Sequence, residues 1–238
     1  MKIITIIFCF VFSISSYCQT LLIGSSKYNP PFETWTAQQK MPYGYDIDFM
    51  NEVCKRLHAT CEYKPYSFDE LFVALEQDKV DLVISSIIIS AYREDEFLFS
   101  LPYLESNAQF LTYSNSPISS FKDLSGKKIG IRSGTPYDYL LRSDNNKFTV
   151  VYYPQIEDML VALSTKQIDA CIIDYEAAKY WIATNPGIYK LIGGKLLIGN
   201  GYAIMANKDK KELIQQINRI ILQMEADGTY LKLYNQYF

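Results

Sequence analysis

FDELFVALEQDKVDLVISSIIISAYR, residues 68–93, has a partial second copy in the same chain: IEDMLVALSTKQIDACIID, residues 156–174, begins 88 positions later. Val73, Ala74 and Leu75 align with Val161, Ala162 and Leu163, and Val80 and Asp81 align with Ile168 and Asp169, with no gap between the blocks. In each copy, apolar residues at helical spacing precede a charged turn. A short apolar run then follows, Leu82 to Ile84 in the first copy and Ala170 to Ile173 in the second. Helix, turn and buried strand form the unit of a parallel sheet covered by helices. The first run ends in Ser85 and Ser86, the second in Asp174, and Ser86 and Asp174 hold equivalent positions. Ligands of open α/β sheets sit beyond the carboxyl ends of the strands. Two copies therefore predict two lobes offering polar groups to one shared cleft. The alternative is two ordinary βα units of a single sheet, but an ungapped match across helix, turn and strand is more than patterning requires.

The rest of the chain can be placed around these copies. Its 238 residues suit two domains of about 100 residues each. A net charge of −3 with no basic run gives no electrostatic support for nucleic acid or an anionic membrane as partner. Lys2, an apolar stretch over residues 3–14 and small residues up to Cys18 read as a secretory signal peptide over residues 1–18. Cleavage near Cys18 or Gln19 is expected ahead of acylation of Cys18, because Tyr17 suits a lipid-attachment site poorly. The mature protein is accordingly expected to be soluble and exported.

Cys54 and Cys61 stand seven apart. On one continuous helix they would lie about 10 Å apart, too far for a disulfide. The helix is therefore expected to end at residues 57–59 and let Cys61 fold back. In an oxidising compartment the pair is expected to bond, contributing roughly 2.5 kcal/mol by loop entropy. Cys171, within an apolar run, reads as a buried free thiol.

Lobe 1 is expected over residues 19–105 and 202–238, and lobe 2 over residues 106–201. Residues 21–24 read as a first strand opening into a loop with two prolines, Pro30 and Pro31. A helix starts near Tyr45, where Asp46 and Asp48 favour the positive end of its dipole. In lobe 2 the strand over residues 128–132 leads into Ser133, Gly134, Thr135 and Pro136, which mirrors the opening of lobe 1. Residues 196–205 read as extended chain. The tail over residues 210–238 reads as helix broken at Gly228 and is expected to pack back on lobe 1. Crossings at residues 105–107 and 199–202 would form a hinge.

Arg93 follows Ser86 by seven residues and precedes three acids. A surface ion pair is the plain reading. Its place beyond a strand's carboxyl end supports another, since guanidinium binds a carboxylate through two parallel hydrogen bonds. Asp174 offers the opposite charge from the facing lobe, although a helix cap would also suit it. The two charges together match a free amino acid. A single histidine, His58, and the lack of Ser-His-Asp or zinc-ligand spacing leave no catalytic residue, metal or cofactor expected.

The run from Gly44 to Phe49, with Val53, Cys54 and Leu57 after it, resembles the signature of the family 3 extracellular solute-binding proteins, the amino-acid-capturing components of ABC importers. Ser85, Ser86, Arg93, Ser133 to Thr135, Asp174 and the closing Gly228, Thr229 and Tyr230 resemble further stretches of that family. The loop from Cys54 to Cys61 looks like the disulfide loop of its histidine- and lysine/arginine/ornithine-binding members. The resemblance implies a two-lobed α/β fold of the periplasmic-binding-protein type II class, each lobe a mainly parallel sheet flanked by helices, a monomer in the periplasm, and a membrane ABC permease as partner. It also implies that Arg93 holds the ligand α-carboxylate with backbone N–H groups at Ile88 and Thr135. Asp174 and the Ser86 carbonyl would hold the α-ammonium, and Phe68 would cover the ligand side chain.

Some positions depart from the pattern. Ile88 replaces a hydroxyl-bearing residue, and Pro136 lacks an N–H. Ser26 stands where basic-amino-acid binders carry an acid, which counts against arginine or lysine as ligand; Asn29 stands where an aromatic often lies, and Arg132 where the glutamine binder has a lysine. These departures point to a polar or acidic, glutamine-like ligand. The rival class is an enzyme on the same scaffold, a cyclohexadienyl or arogenate dehydratase, with Asp174 or Glu176 as general acid.

Overall fold

The computed structural model describes residues 19–36, 41–143 and 148–238. The expected signal peptide and Cys18 lie outside the described residues. In the first half of the chain, strands β1 (Gln19–Ser26), β2 (Tyr28–Asn29) and β3 (Glu33–Thr34) precede helix α1 (Tyr45–Arg56). Strand β4 (Ala59–Tyr66), helix α2 (Glu70–Glu76), β5 (Leu82–Val83), the short α3 (Ala91–Glu94) and β6 (Leu98–Phe99) follow. The second half opens with β7 (Asn107–Tyr113), a 3-10 turn (Phe121–Leu124) and β8 (Lys128–Arg132). Then come α4 (Tyr137–Ser143), β9 (Thr149–Tyr153), α5 (Ile156–Ser164), β10 (Ala170–Asp174), α6 (Tyr175–Thr184) and β11 (Tyr189–Leu197). β12 (Met205–Ala206), α7 (Lys211–Ala226) and α8 (Thr229–Tyr237) close the chain.

Two five-stranded sheets result, ordered β4-β1-β5-β12-β6 and β9-β8-β10-β7-β11. Read in that direction they match position by position, with β5 and β10, the strands of the repeated stretch, at both centres. Each sheet is parallel through three strands, β4-β1-β5 and β9-β8-β10, and antiparallel where the returning chain joins it. The antiparallel halves are supplied by β12 in the first sheet and β7 in the second, each of which reaches its sheet after crossing from the other. The extended chain begins earlier than residue 196: β11 pairs with β7 from Tyr189 onward and has a register shift between Ile192 and Leu196.

Local chemistry explains the elements that position the cleft. α1 carries Ile47, Met50, Val53 and Cys54 on its buried side, ends in Lys55 and Arg56, and stops at Leu57. His58 then adopts φ 55°, and the chain turns into β4. That reversal brings Cys61 back to Cys54, with the Cα atoms 6.0 Å apart, and the expected disulfide is present. Gly228, at φ 80°, separates α7 from α8, and both helices pack on α1 in lobe 1. Cys171 is free and buried, and burial pushes its thiol up to about 12.

The two crossings run side by side. Tyr202 N–H donates to Leu104 O at 2.8 Å, and Tyr103 N–H donates to Tyr202 O at 2.8 Å. Ser106 Oγ donates to Ile198 O and accepts from Gly201 N–H. A pair of strands tied this way can twist while the core of each lobe stays intact.

Candidate functional site between the two lobes

Asp174 ends β10, and its carboxylate accepts hydrogen bonds from groups at the lobe interface. Its Oδ1 accepts from the hydroxyls of Tyr137 and Tyr202, the latter at 2.9 Å. Its Oδ2 accepts from Ser86 Oγ at 3.1 Å and Asn29 Nδ2 at 3.2 Å, both in lobe 1. Arg132 Nη2 lies 4.0 Å from the same oxygen. Asp174 also precedes α6, but its carboxylate makes no cap hydrogen bond there. The helix-cap reading therefore drops out. Burial first, and then the Asp174 charge, raises the Tyr137 and Tyr202 hydroxyls well above the ordinary phenol range, so both stay protonated and donate.

Arg93 is the mirror case, a cation without an acid. Its side chain is 2% exposed, and the surface pairing with Glu94, Asp95 and Glu96 does not form. No salt bridge joins Arg93 to a carboxylate among the described residues. One guanidinium nitrogen donates to Ile88 O at 2.8 Å and the other terminal nitrogen to Gly134 O across the cleft, also at 2.8 Å. The rings of Phe72, Tyr92 and Phe68 surround it at 4.7, 5.5 and 5.9 Å. Burial pulls the Arg93 pKa down from its usual value. A guanidinium has five N–H donors, and a buried cation held only by carbonyls and ring faces is poorly compensated. An anion arriving at this point would be strongly attracted.

Phe68 is 2% exposed and belongs to the second apolar cluster, with Leu71, Leu75 and Val83. It is also the platform for Arg132, whose guanidinium carbon lies 4.0 Å from the ring centroid. Core packing and a place at the cleft are thus both true of this residue. Thr135 does not present its N–H freely: N–H and hydroxyl both bond to Arg132 O, at 3.3 and 2.6 Å. Ile88 offers its carbonyl to Arg93. Ile88 and Pro136 also line one cavity of about 520 Å³ beside the α3 loop, with Tyr92 and Tyr139. The two departures from the expected pattern therefore place apolar surface on the same side. Asn29 bonds to both Ser86 and Asp174, and its own Oδ1 is buried without a partner.

Ser26 is the position at which spacing alone misleads. No acid stands there in the sequence, but Glu33, seven residues on, folds its carboxylate against Ser26 Oγ and Ser85 Oγ. The short β2–β3 hairpin makes this possible by returning the chain onto itself. Asp46 stands in the first turn of α1 as expected, but it is wholly buried and accepts from Ser86 N–H at 2.7 Å. Ser86 itself is held at φ 44°, a conformation uncommon outside glycine. Glu33, Asp46, Tyr137 and Tyr202 carry no sequence signal that would single them out as site residues. Only the PPFE turn, by forcing a reversal after Asn29, hints at Glu33.

A buried cation of lobe 1 and a buried carboxylate of lobe 2 thus both make hydrogen bonds across the lobe boundary.

The family model described as bacterial extracellular solute-binding proteins, family 3, matches residues 21–238. The ABC transporter arginine-binding protein 1 of Escherichia coli (strain K12) is 29% identical over 227 residues, covering 94% of this chain and 93% of that protein. A crystal structure of an arginine 3rd transport system periplasmic binding protein from Legionella pneumophila has a TM-score of 0.91 and 55% identity, covering 92% of this chain and all of the other. An ancestral arginine-binding protein bound to glutamine has a TM-score of 0.84 and 30% identity, covering 92% and 97%.

Proposed function

This chain belongs to the bacterial extracellular solute-binding proteins, family 3, and from that premise we infer that it captures a free amino acid between its lobes and delivers it to a membrane ABC permease. One observation carries the reading: Arg93 and Asp174, both buried, stand on opposite lobes, and the cation has no salt bridge among the described residues. Arg93 would take the α-carboxylate. Asp174, with the Ser86 carbonyl, would take the α-ammonium, exchanging its bonds with Asn29 and Ser86 for the ligand. Phe68 would cover the side chain, with Asn29, Ser26, Ile88, Thr135 and Arg132 around it.

Closure is the mechanism. The lobes, residues 19–105 with 202–238 and residues 106–201, would rotate about the paired crossings, and ligand would favour the closed form through bonds made only there. The closed monomer would dock on the permease. An exported location follows from the same reading, with cleavage of residues 1–18 ahead of acylation at Cys18.

Arginine is the ligand that the relatives' names favour. A glutamine-like ligand is the second reading, favoured by Arg132, a donor that suits acceptor oxygens. The ancestral arginine-binding protein bound to glutamine is compatible with both.

A thermal-shift screen of twenty amino acids, followed by calorimetry on the hits, tests this. Arginine at a hundredfold excess over its Kd should stabilise the protein by about 2.7 kcal/mol. No shift with any amino acid, or product formed from prephenate or arogenate, would remove the transport reading in favour of the enzyme.

A further inference from the structure

Beneath Ser86 lies a group that ligand capture as described above does not use. Glu33 and Asp46 are both completely buried. Glu33 Oε1 receives hydroxyls from Ser26 and Ser85, the latter at 2.6 Å, and Asp46 Oδ2 receives the Ser86 N–H. The other oxygen of each, Glu33 Oε2 and Asp46 Oδ1, is buried without a hydrogen-bond partner. Consecutive residues hold the two acids together, Ser85 on Glu33 and Ser86 on Asp46, and Asp46 N–H donates to Phe32 O at 2.9 Å, beside Glu33. Two buried carboxylates side by side repel and leave two acceptors unsatisfied, whereas one proton between them removes both penalties.

We propose that Glu33 and Asp46 share a single proton, that Glu33 thereby acts as a positioning residue for Ser86 at the ligand site, and that ligand capture is linked to this proton. The chain of bonds is short. The proton keeps Asp46 beside Glu33, Asp46 holds the Ser86 backbone at its left-handed φ, and that backbone presents the Ser86 carbonyl that would take the ligand's α-ammonium. Loss of the proton separates the acids and shifts Ser86 away from the closing lobe.

The surrounding charges are mixed. Arg132 faces Glu33 from lobe 2 and favours ionisation, while Asp174, from the same lobe, opposes ionisation of Asp46. Tyr103 on the crossing faces both acids, and Tyr45 on α1 and Tyr63 on β4 face Asp46. Burial outweighs these, lifting Glu33 well above the carboxylate range and Asp46 up to about 7. Closing the lobes withdraws the pair further from water, so the closed form holds the proton more tightly than the open one.

The proposal rests on amino-acid capture only for its ligand arm, and two measurements keep it separable. With arginine as probe, the Kd of the wild type should weaken several-fold from pH 6 to pH 8. Calorimetry at pH 7 in buffers of different ionisation heat should show proton uptake on binding. Glu33→Gln, which carries a permanent donor in place of the proton, should flatten the pH profile and abolish the uptake. An equal pH slope in wild type and Glu33→Gln, or no proton uptake by the wild type, would overturn it. If no amino acid binds, the capture reading fails, and the melting temperature of ligand-free protein decides this one. Acids with raised folded pKa values stabilise below their unfolded pKa and lose that effect as pH rises through the folded value. The wild type should therefore melt progressively lower from pH 5 to pH 8, and Glu33→Gln should lose most of that slope. Failure of Glu33→Gln to fold leaves the wild-type slope as the test, and a flat wild-type profile refutes the shared proton.

Discussion

Arg93 donates a hydrogen bond to Gly134 O across the cleft, 2.8 Å away, so a cation of one lobe is bonded to the backbone of the other. The bond forms where Gly134, at φ 79°, brings its backbone against Phe68 and Asp69. A side chain at that position would stand between the lobes. The closed arrangement therefore depends on a buried cation with no carboxylate bridged to it among the described residues, and on a glycine that lets it reach across.

Arg93→Ala should lower amino-acid affinity by about 3 kcal/mol or more, over a hundredfold in Kd, because a buried ligand carboxylate would be left unpaired. Arg93→Lys should recover only part of this, since a point charge cannot replace a planar fork. Titration calorimetry on both variants checks it, and an unchanged Kd in the alanine variant would assign the carboxylate elsewhere.

Asp174→Asn keeps the shape but points an amide at Asn29 Nδ2 and Ser86 Oγ or at two phenols. In one orientation the amide nitrogen meets the Asn29 Nδ2 donor; in the other both phenol oxygens must accept, and their own hydrogens lose the carboxylate. We expect affinity to fall by roughly tenfold to a hundredfold, with the melting temperature reduced in the ligand-free protein as well. Loss of affinity with no change in melting temperature would mean that the interface bonds contribute nothing to the closed state.

Gly134→Ala should impede closure. A Cβ there would lie 3.3 Å from the Asp69 Cα and Cβ, and a left-handed backbone costs a non-glycine residue about 1–2 kcal/mol. Affinity should drop on the order of tenfold. Small-angle scattering should show less ligand-induced compaction than in the wild type.

Replacing Cys54 and Cys61 together by serine should lower stability by about 2.5 kcal/mol, read from the denaturant midpoint. Ligand affinity should hold, because Cys61 pairs with Leu21 at one end of β1 while Ser26 lies at the other. That separation is about 16 Å at a strand's rise per residue. A large change in Kd would show that the two ends of the sheet are coupled.

Cys171 should resist alkylation at pH 8 in the native protein beginning at Gln19, and one thiol per chain should appear on unfolding without reductant. Its thiol is pushed up to about 12 and is shielded from solvent. Rapid native labelling would mean that lobe 2 opens through β10 far more readily than its packing implies.

Several features are legible in the chain because they depend on neighbours in sequence. The duplicated helix-turn-strand, with its period of apolar residues, decides that two like sheets form. The break after Leu57 decides that Cys61 can return to Cys54, and the carboxyl ends of β5 and β10 locate Ser86 and Asp174. Periodicity and chain reversal are local properties, so one string of letters carries them.

What surrounds Asp174 is settled only by tertiary folding. Asn29 reaches it from 145 residues away, and no spacing rule joins those two residues, which are brought together by the chain crossings. Glu33 stands in a turn marked only by its two prolines, and Asp46 reads as an acid serving a helix end. Both become buried acids because β1, the β2–β3 hairpin and α1 converge there, and the energy of a charge depends on what excludes water from it. Sequence determined which groups were available to the cleft, and the packing of two lobes determined which of them carry charge and toward what they point.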